Sequence, residues 1–282
     1  MEKTIKRCWP VFVLPTMLAF LIGFLIPFLM GLYLSLCDFT TLSDAVFVGF
    51  ANYVRAFTDA SGEFVHALWY TALFALVSTV LTNLLALAAA LMLVRGFRGT
   101  HVFRTVFFLP NLIGGIVLGW LWQVILNGAL ARFGVTLVSG EWYGFWGLMT
   151  VMVWQQLGYM MIIYIAGLQS IPGDVLEAAA IDGAGARQTL LHVRLPMLMP
   201  SVTICTFLTL TNGFKLFDQN LSPTGGMPSN RSQLLALNIY STFYGRTGWA
   251  GAGQAKAVIF CALVVSVALL QLHLTRPREV QQ

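Results

Sequence analysis

Charge is what this sequence has least of. Of its 282 residues, 10% are Asp, Glu, Lys or Arg and 58% are hydrophobic, whereas a soluble domain carries about 25% charged residues. So few charges cannot cover a water-facing surface, and lipid must replace water over much of it. Acids are scarcer than bases, with 11 Asp and Glu against 16 Lys and Arg. Ion-driven transporters usually hold ionisable groups inside the membrane. Here only Asp218 comes near a span interior, and it falls toward the outer end beside Lys215. A nucleotide-driven engine is missing too. A phosphate-binding loop needs Gly-Lys before Ser or Thr, and none of Lys3, Lys6, Lys215 and Lys256 follows a glycine. Cys8, Cys37, Cys205 and Cys261 are far apart, with no CxxC pair and no metal-ligand spacing, and read as small buried hydrophobes. His66, His101 and His192 lie near span ends and His273 lies late in the last span, none beside another candidate ligand. No metal site, no bound cofactor and no convergent set of acids and nucleophiles is expected, so an enzyme embedded in the membrane is a weak reading.

What is present is length without charge. A helix needs about 18 to 20 apolar residues to cross the hydrocarbon. Runs of that length without Asp, Glu, Lys or Arg occur six times, at 8–37, 64–94, 105–131, 142–173, 195–214 and 257–275. The chain is therefore expected to be an all-α polytopic membrane protein with six transmembrane helices. The runs lack the apolar/polar alternation of a barrel strand. The first run is too long for a signal peptide and is interrupted by Pro15 and Pro27, so it reads as a retained helix. Lys215 and Lys256 bound the short fifth and sixth runs, and either could extend its run by snorkelling to the interface.

Lysine and arginine set the orientation. With the N-terminus in the cytoplasm, the inside holds Lys3, Lys6, Arg7, Arg95, Arg98, Arg104, Arg187, Arg194, Arg276 and Arg278, and the outside only Arg55, Arg132, Arg231 and Arg246. Both termini are thus expected inside. The net charge of +5 is a topology signal, and no basic stripe on a water-exposed face points to nucleic acid. The organisation read from this is a tail, first helix and outer segment over residues 1–65, a core of five helices over 66–276, and a tail over 277–282. A long cytoplasmic loop, about 169–195, lies within the core.

That loop runs Ile171-Pro172-Gly173-Asp174-Val175-Leu176-Glu177-Ala178-Ala179-Ala180-Ile181-Asp182-Gly183-Ala184. Pro172-Gly173 is a turn. Asp174 and Glu177 stand in a near capping-box spacing, and Ala178 to Ala180 are strong helix formers without bulk. Gly183 and Gly185 allow a bend. A second apolar stretch (Leu190, Leu191, Val193, Leu195) precedes Pro196, which is expected to open the next span. The expectation is a short helix, a glycine bend and another short helix, with small side chains that another protein could grip closely. An ordinary inter-helix loop is the alternative.

Glu177-Ala178-Ala179, then Asp182-Gly183-Ala184, then Leu195-Pro196 resembles the EAA loop of type I ABC importer permeases. Gly49-Phe50-Ala51-Asn52-Tyr53, the stretch Arg104 to Pro110, and Phe217-Asp218 followed by Thr224-Gly225-Gly226-Met227-Pro228 are similar to segments of the MalF/UgpA-like carbohydrate branch, with Met227 where glycine is usual. The resemblance covers nearly the whole chain and implies the MetI-like permease fold. It implies a non-catalytic subunit of a sugar importer in the bacterial plasma or inner membrane. The expected partners are a second homologous permease subunit, two ATPases that use ATP and Mg, and an extracytoplasmic solute-binding protein. The loop residues Glu177, Ala178, Ala179, Asp182, Gly183 and Ala184 would couple to an ATPase. A permease for another solute, such as glycerol phosphate or a peptide, is the competing reading.

A sugar site needs neutral hydrogen-bonding groups lining a cavity partway through the membrane. Gln155 and Gln156 lie one turn from Tyr159 on the fourth span, and Thr209, Gly213 and Leu216 share a face of the fifth, flanked by Asn212. By the resemblance, these seven occupy sugar-contacting positions. Polar glue between helices is the bland alternative for the glutamines and for Thr209. Lys215 and Asp218, at i and i+3, are expected to form an ion pair, although Lys215 could instead snorkel or meet an anionic substrate.

Overall fold

The computed structural model describes residue 11, residues 13–96 and residues 98–275. Lys3, Lys6, Arg7, Cys8, Arg276, Arg278 and the tail 277–282 lie outside the described residues. The regular structure of the described residues is helical, apart from a two-residue antiparallel ladder pairing Cys37 with Phe47 and Asp38 with Val46. Among the described residues, five helices are long and apolar enough to cross a membrane: Val13–Leu34, Glu63–Leu93, Gly115–Phe133, Glu141–Gln169 and Ala250–Thr275. A bent pair of helices, Ala186–Met197 and Met199–Phe214, at 68°, passes the same test when its two arms are taken together, which gives six spans if the pair is one. Each of the six charge-free runs thus coincides with one of these helices or with the bent pair, but the runs do not mark the breaks within them.

Two breaks correct the sequence reading. The third charge-free run is not one helix. Thr100–Phe108 gives way to a tight turn, Leu109–Leu112, and the spanning helix starts at Gly115. Pro110 has no N–H to donate, and Ile113 and Gly114 are extended, so the ladder cannot run through. Nor does Pro196 open the fifth span. The bend falls at Leu198, between Pro196 and Pro200, where Pro200 cannot donate to the carbonyl four residues back.

The chain divides into two compact units, residues 1–62 with 239–261 and residues 63–238 with 262–282. In the first, buried Asn52 of helix Ala51–Thr58 donates to the carbonyls of Cys37 at 2.7 Å and Ser35 at 3.1 Å, tying that helix to the ladder. Arg55 donates to the Gly248 carbonyl and stacks over Trp249 at 3.8 Å. Arg246 pairs with Asp59 at 2.8 Å. The Ser61 hydroxyl first, and then Arg246, hold the Asp59 carboxyl below its ordinary range against the opposing effect of partial burial. Lys256 does not snorkel. It is 1% exposed, and its ammonium donates to the Thr242 hydroxyl at 2.8 Å. It lies in the first turns of Ala250–Thr275, turned toward helix Leu235–Gly245 rather than outward.

The second unit is built on Glu63–Leu93, Glu141–Gln169 and Met199–Phe214. One apolar cluster gathers Ala90, Met160, Met161, Tyr164, Leu168 and Cys205, and another gathers Tyr70, Phe74, Phe145 and Met152. Small residues let the helices meet. A Cβ on Gly213 would lie 2.9 Å from Ala75 Cα, and one on Gly158 would lie 1.9 Å from the Phe107 carbonyl oxygen. A polar seam crosses the same bundle. Tyr164 donates to Asn83 Oδ1 at 2.7 Å, Asn83 Nδ2 donates to the Thr209 hydroxyl at 2.9 Å, and Thr209 donates to the Cys205 carbonyl at 2.8 Å.

Candidate functional site

Gln155 is the middle residue of Glu141–Gln169, and it faces the break in the third span. Its Nε2 donates to the Ile113 carbonyl at 3.1 Å, satisfying an oxygen the broken helix leaves orphaned, and its Oε1 accepts from Gln219. Irregular backbone at membrane depth is tolerated where it lines a cavity, and a cavity of about 350 Å³ opens here. Asn111 and Gly115 come to it from the break, Gln155 and Gln156 from the fourth span, and Asn212, Lys215 and Leu216 from the end of the fifth. Phe217, Asp218 and Gln219 complete it from the following turn and short helix. Gln156 is 7% exposed, and its Oε1 has no hydrogen-bond partner among the described residues. Such an orphaned acceptor is costly unless a ligand or water meets it. Gly115 admits Asp218 at the wall, since a Cβ there would lie 2.7 Å from Asp218 Cβ.

Of the residues singled out in the sequence, Gln155, Gln156, Asn212 and Leu216 are brought together here. Thr209 is fully buried in the polar seam, and Gly213 is closed by Ala75, so both sit at helix contacts. Tyr159 is 38% exposed and outside the lining. Lys215 and Asp218 both line the cavity, but the expected ion pair is absent among the described residues. The helix ends at Phe214, Lys215 is its C-cap, and Asp218 opens a separate short helix, so the i, i+3 geometry of one continuous helix does not apply. Asn111 and Gln219 were not anticipated, because the broken turn and the short helix that carry them leave no periodic signal.

The glycine-containing segment after this helix is held by Asn220. Fully buried, it donates to the Ser232 carbonyl at 2.8 Å and to the Thr224 hydroxyl at 3.2 Å, and it accepts from the Leu234 N–H at 2.8 Å. Gly225 and Gly226 take positive φ of 54° and 86° between these anchors. Asn220→Leu should strand the Ser232 and Leu234 backbone groups, each costing about 1–3 kcal/mol when buried without a partner. A lower melting temperature of the purified subunit would be the result expected, and an unchanged one would remove Asn220 as the anchor.

The second site is the loop after the fourth span. Helix Gly173–Ile181 begins with Pro172 at the N-cap and no side-chain cap. The near capping box therefore does not form, because Asp174 falls inside the first turn. Leu176 packs on the apolar cluster at the span ends and Ala179 is buried, which leaves Glu177, Ala178, Asp182 and Gly183 exposed and Ala184 half-buried. The helix closes as a Schellman turn. The Ala184 N–H bonds the Ala179 carbonyl at 3.0 Å, the Gly183 N–H bonds the Ala180 carbonyl at 3.1 Å, and Gly183 holds φ at 75°. Ile181 is 86% exposed at the helix end.

The family described as "Binding-protein-dependent transport system inner membrane component" matches residues 82–278. The chain is 41% identical over 279 residues to the "Probable starch degradation products transport system permease protein AmyD" of Thermoanaerobacterium thermosulfurigenes, covering 96% of this chain and 94% of that one. It is 30% identical over 290 residues to the "Multiple sugar-binding transport system permease protein MsmF" of Streptococcus mutans serotype c, covering 99% of both. A solved bacterial ABC transporter involved in the import of the acidic polysaccharide alginate has a chain of the same fold, with a TM-score of 0.82 over 98% of both chains at 20% identity.

Proposed function

Because the chain belongs to the family of binding-protein-dependent transport system inner membrane components, a family of multi-pass permease subunits, we propose that it forms half of the pathway of an ATP-driven importer whose substrate is a neutral sugar. The cavity at Gln155 carries this reading. Carboxamides of Asn111, Gln155, Gln156, Asn212 and Gln219 converge on it or stand at its wall, and a carboxamide offers both a donor and an acceptor, as a sugar hydroxyl does. The unpartnered Gln156 Oε1 is an acceptor waiting for a hydroxyl.

The force comes from elsewhere. The exposed Glu177, Ala178, Ile181, Asp182 and Gly183, with Ala179 and Ala184 beneath them, form the surface that docks in a separate ATPase, which binds ATP and Mg. A second permease subunit of similar fold and an outer solute-binding protein complete the assembly, with both termini of this chain in the cytoplasm. The loop is rooted on the cluster at the span ends through Leu176, so its displacement by a closing ATPase dimer is passed into the bundle as rigid-body rocking.

In proteoliposomes holding the whole transporter, Gln155→Ala and Asn212→Ala should each raise the KM for a maltodextrin about 2- to 10-fold, the value of one neutral hydrogen bond. Lys215 favours a second reading, because no carboxylate pairs with it among the described residues. If glycerol phosphate competes for uptake while maltodextrins do not, and Lys215→Gln abolishes that competition, the substrate is an anion and the neutral-sugar reading fails.

A further inference from the structure

A second cavity, of about 560 Å³, lies between the inner face of the loop, at Leu176, Ala180 and Ala184, and the ends of the spans. Leu91 and Leu168 wall it from the ends of two spans, and Leu176 and Leu190 from the loop, while Arg95 and Arg194 line it as well. No Asp or Glu is among its lining residues. Neither guanidinium has an ion-pair partner among the described residues. Arg95 comes two residues after the end of Glu63–Leu93, and Arg194 lies in the first arm of the bent pair, Ala186–Met197, ahead of the bend at Leu198. In the orientation given under the proposed function, both fall on the cytoplasmic side of the bundle, beside the headgroup layer. An aliphatic wall with two unpaired cations and no acid at that depth is complementary to one kind of molecule, which carries an acyl chain below a negative headgroup.

We propose that this cavity binds an anionic phospholipid of the cytoplasmic leaflet, with the phosphate held by Arg95 and Arg194 and the upper part of one acyl chain against the four leucines. Guanidinium groups suit a phosphate because their planar donors match its oxygens, and basic pockets between helices on the cytoplasmic side are a recurrent means of headgroup capture. The leaflet assignment rests on the orientation given under the proposed function. The lipid would sit between the loop and the bundle, wedged into the joint through which the loop moves.

The test uses the assembled transporter, reconstituted in vesicles of equal phosphatidylglycerol and phosphatidylcholine, re-extracted in mild detergent and examined by native mass spectrometry. The wild-type complex should retain phosphatidylglycerol in preference to phosphatidylcholine. The double variant Arg95→Gln/Arg194→Gln should lose that retention at least tenfold. Arg187→Gln, which removes an exposed charge from the same loop outside the cavity, should retain it. Equal retention in wild type and the double variant, no preference between the lipids, or the same loss in Arg187→Gln would overturn the proposal. Lipid held by the isolated subunit but expelled when the ATPase binds would also overturn it, by showing that protein fills the cavity. Because neither sugar nor ATP is present, a permease for another solute would still pass, and a sugar importer could fail.

Discussion

Gly158→Ala should markedly destabilise the subunit. The added Cβ would stand 1.9 Å from the Phe107 carbonyl oxygen and 2.7 Å from the Phe108 nitrogen. The obstacle is backbone, so no side chain can swing aside. Helix Thr100–Phe108 must move off helix Glu141–Gln169, and Phe107 lies just before the turn that lines the Gln155 cavity. Overpacking commonly costs about 1–3 kcal/mol, and a clash with main chain belongs at or above the top of that range. A fall of roughly 5–10 °C in the melting temperature of the detergent-solubilised subunit follows for a chain of this size. Gly128→Ala, where the new methyl meets nothing within 4 Å, is the matched control and should be neutral. Equal melting of the two variants would contradict the close crossing of these helices.

Ile181→Asp should leave the subunit folded and abolish ATP-driven uptake. Ile181 is 86% exposed, so the chain itself loses little when a carboxylate replaces it. A buried contact at the centre of a partner interface is another matter. Removing such a hot spot costs about 2–4 kcal/mol of association, and a charge adds the penalty of its own desolvation. Docking of the ATPase should weaken on the order of 30-fold or more. Glu177→Lys together with Gly183→Asp should act at the same step, through reversed charge and through strain at a φ of 75°. Uptake at the wild-type rate in Ile181→Asp would place the docking surface elsewhere.

The contrast between these two positions shows what a single sequence makes legible. Spans announce themselves because lipid forbids charge over a fixed length, and that constraint is written in every residue of 64–94 or 142–173. Gly158 carries no such mark, since its closeness to Phe107 is created by a crossing of two helices. The halt at Pro110 and the bend at Leu198 fall inside charge-free runs, where counting apolar residues is blind. A lysine near a span end ordinarily reaches for water, and for Lys256 only the neighbouring helix with Thr242 supplies the alternative. In the cavity, Gln155 and Asn212 were legible as carboxamides on long helices, whereas Asn111 and Gln219 depend on the backbone breaks. Ile181 looked like one more apolar residue of a short helix, and its exposure follows from the Schellman turn at Gly183 that ends the helix beside it.

The most direct test is the accessibility of one sulfhydryl. With Cys8, Cys37, Cys205 and Cys261 replaced, Ile181→Cys in the full transporter can be exposed to a membrane-impermeant maleimide. The reagent should label this cysteine in inside-out vesicles stripped of ATPase, fail to label it in intact cells, and be blocked when the ATPase is restored. Labelling from the outside of intact cells, or labelling indifferent to the ATPase, would contradict a loop that carries the motor's force into the bundle.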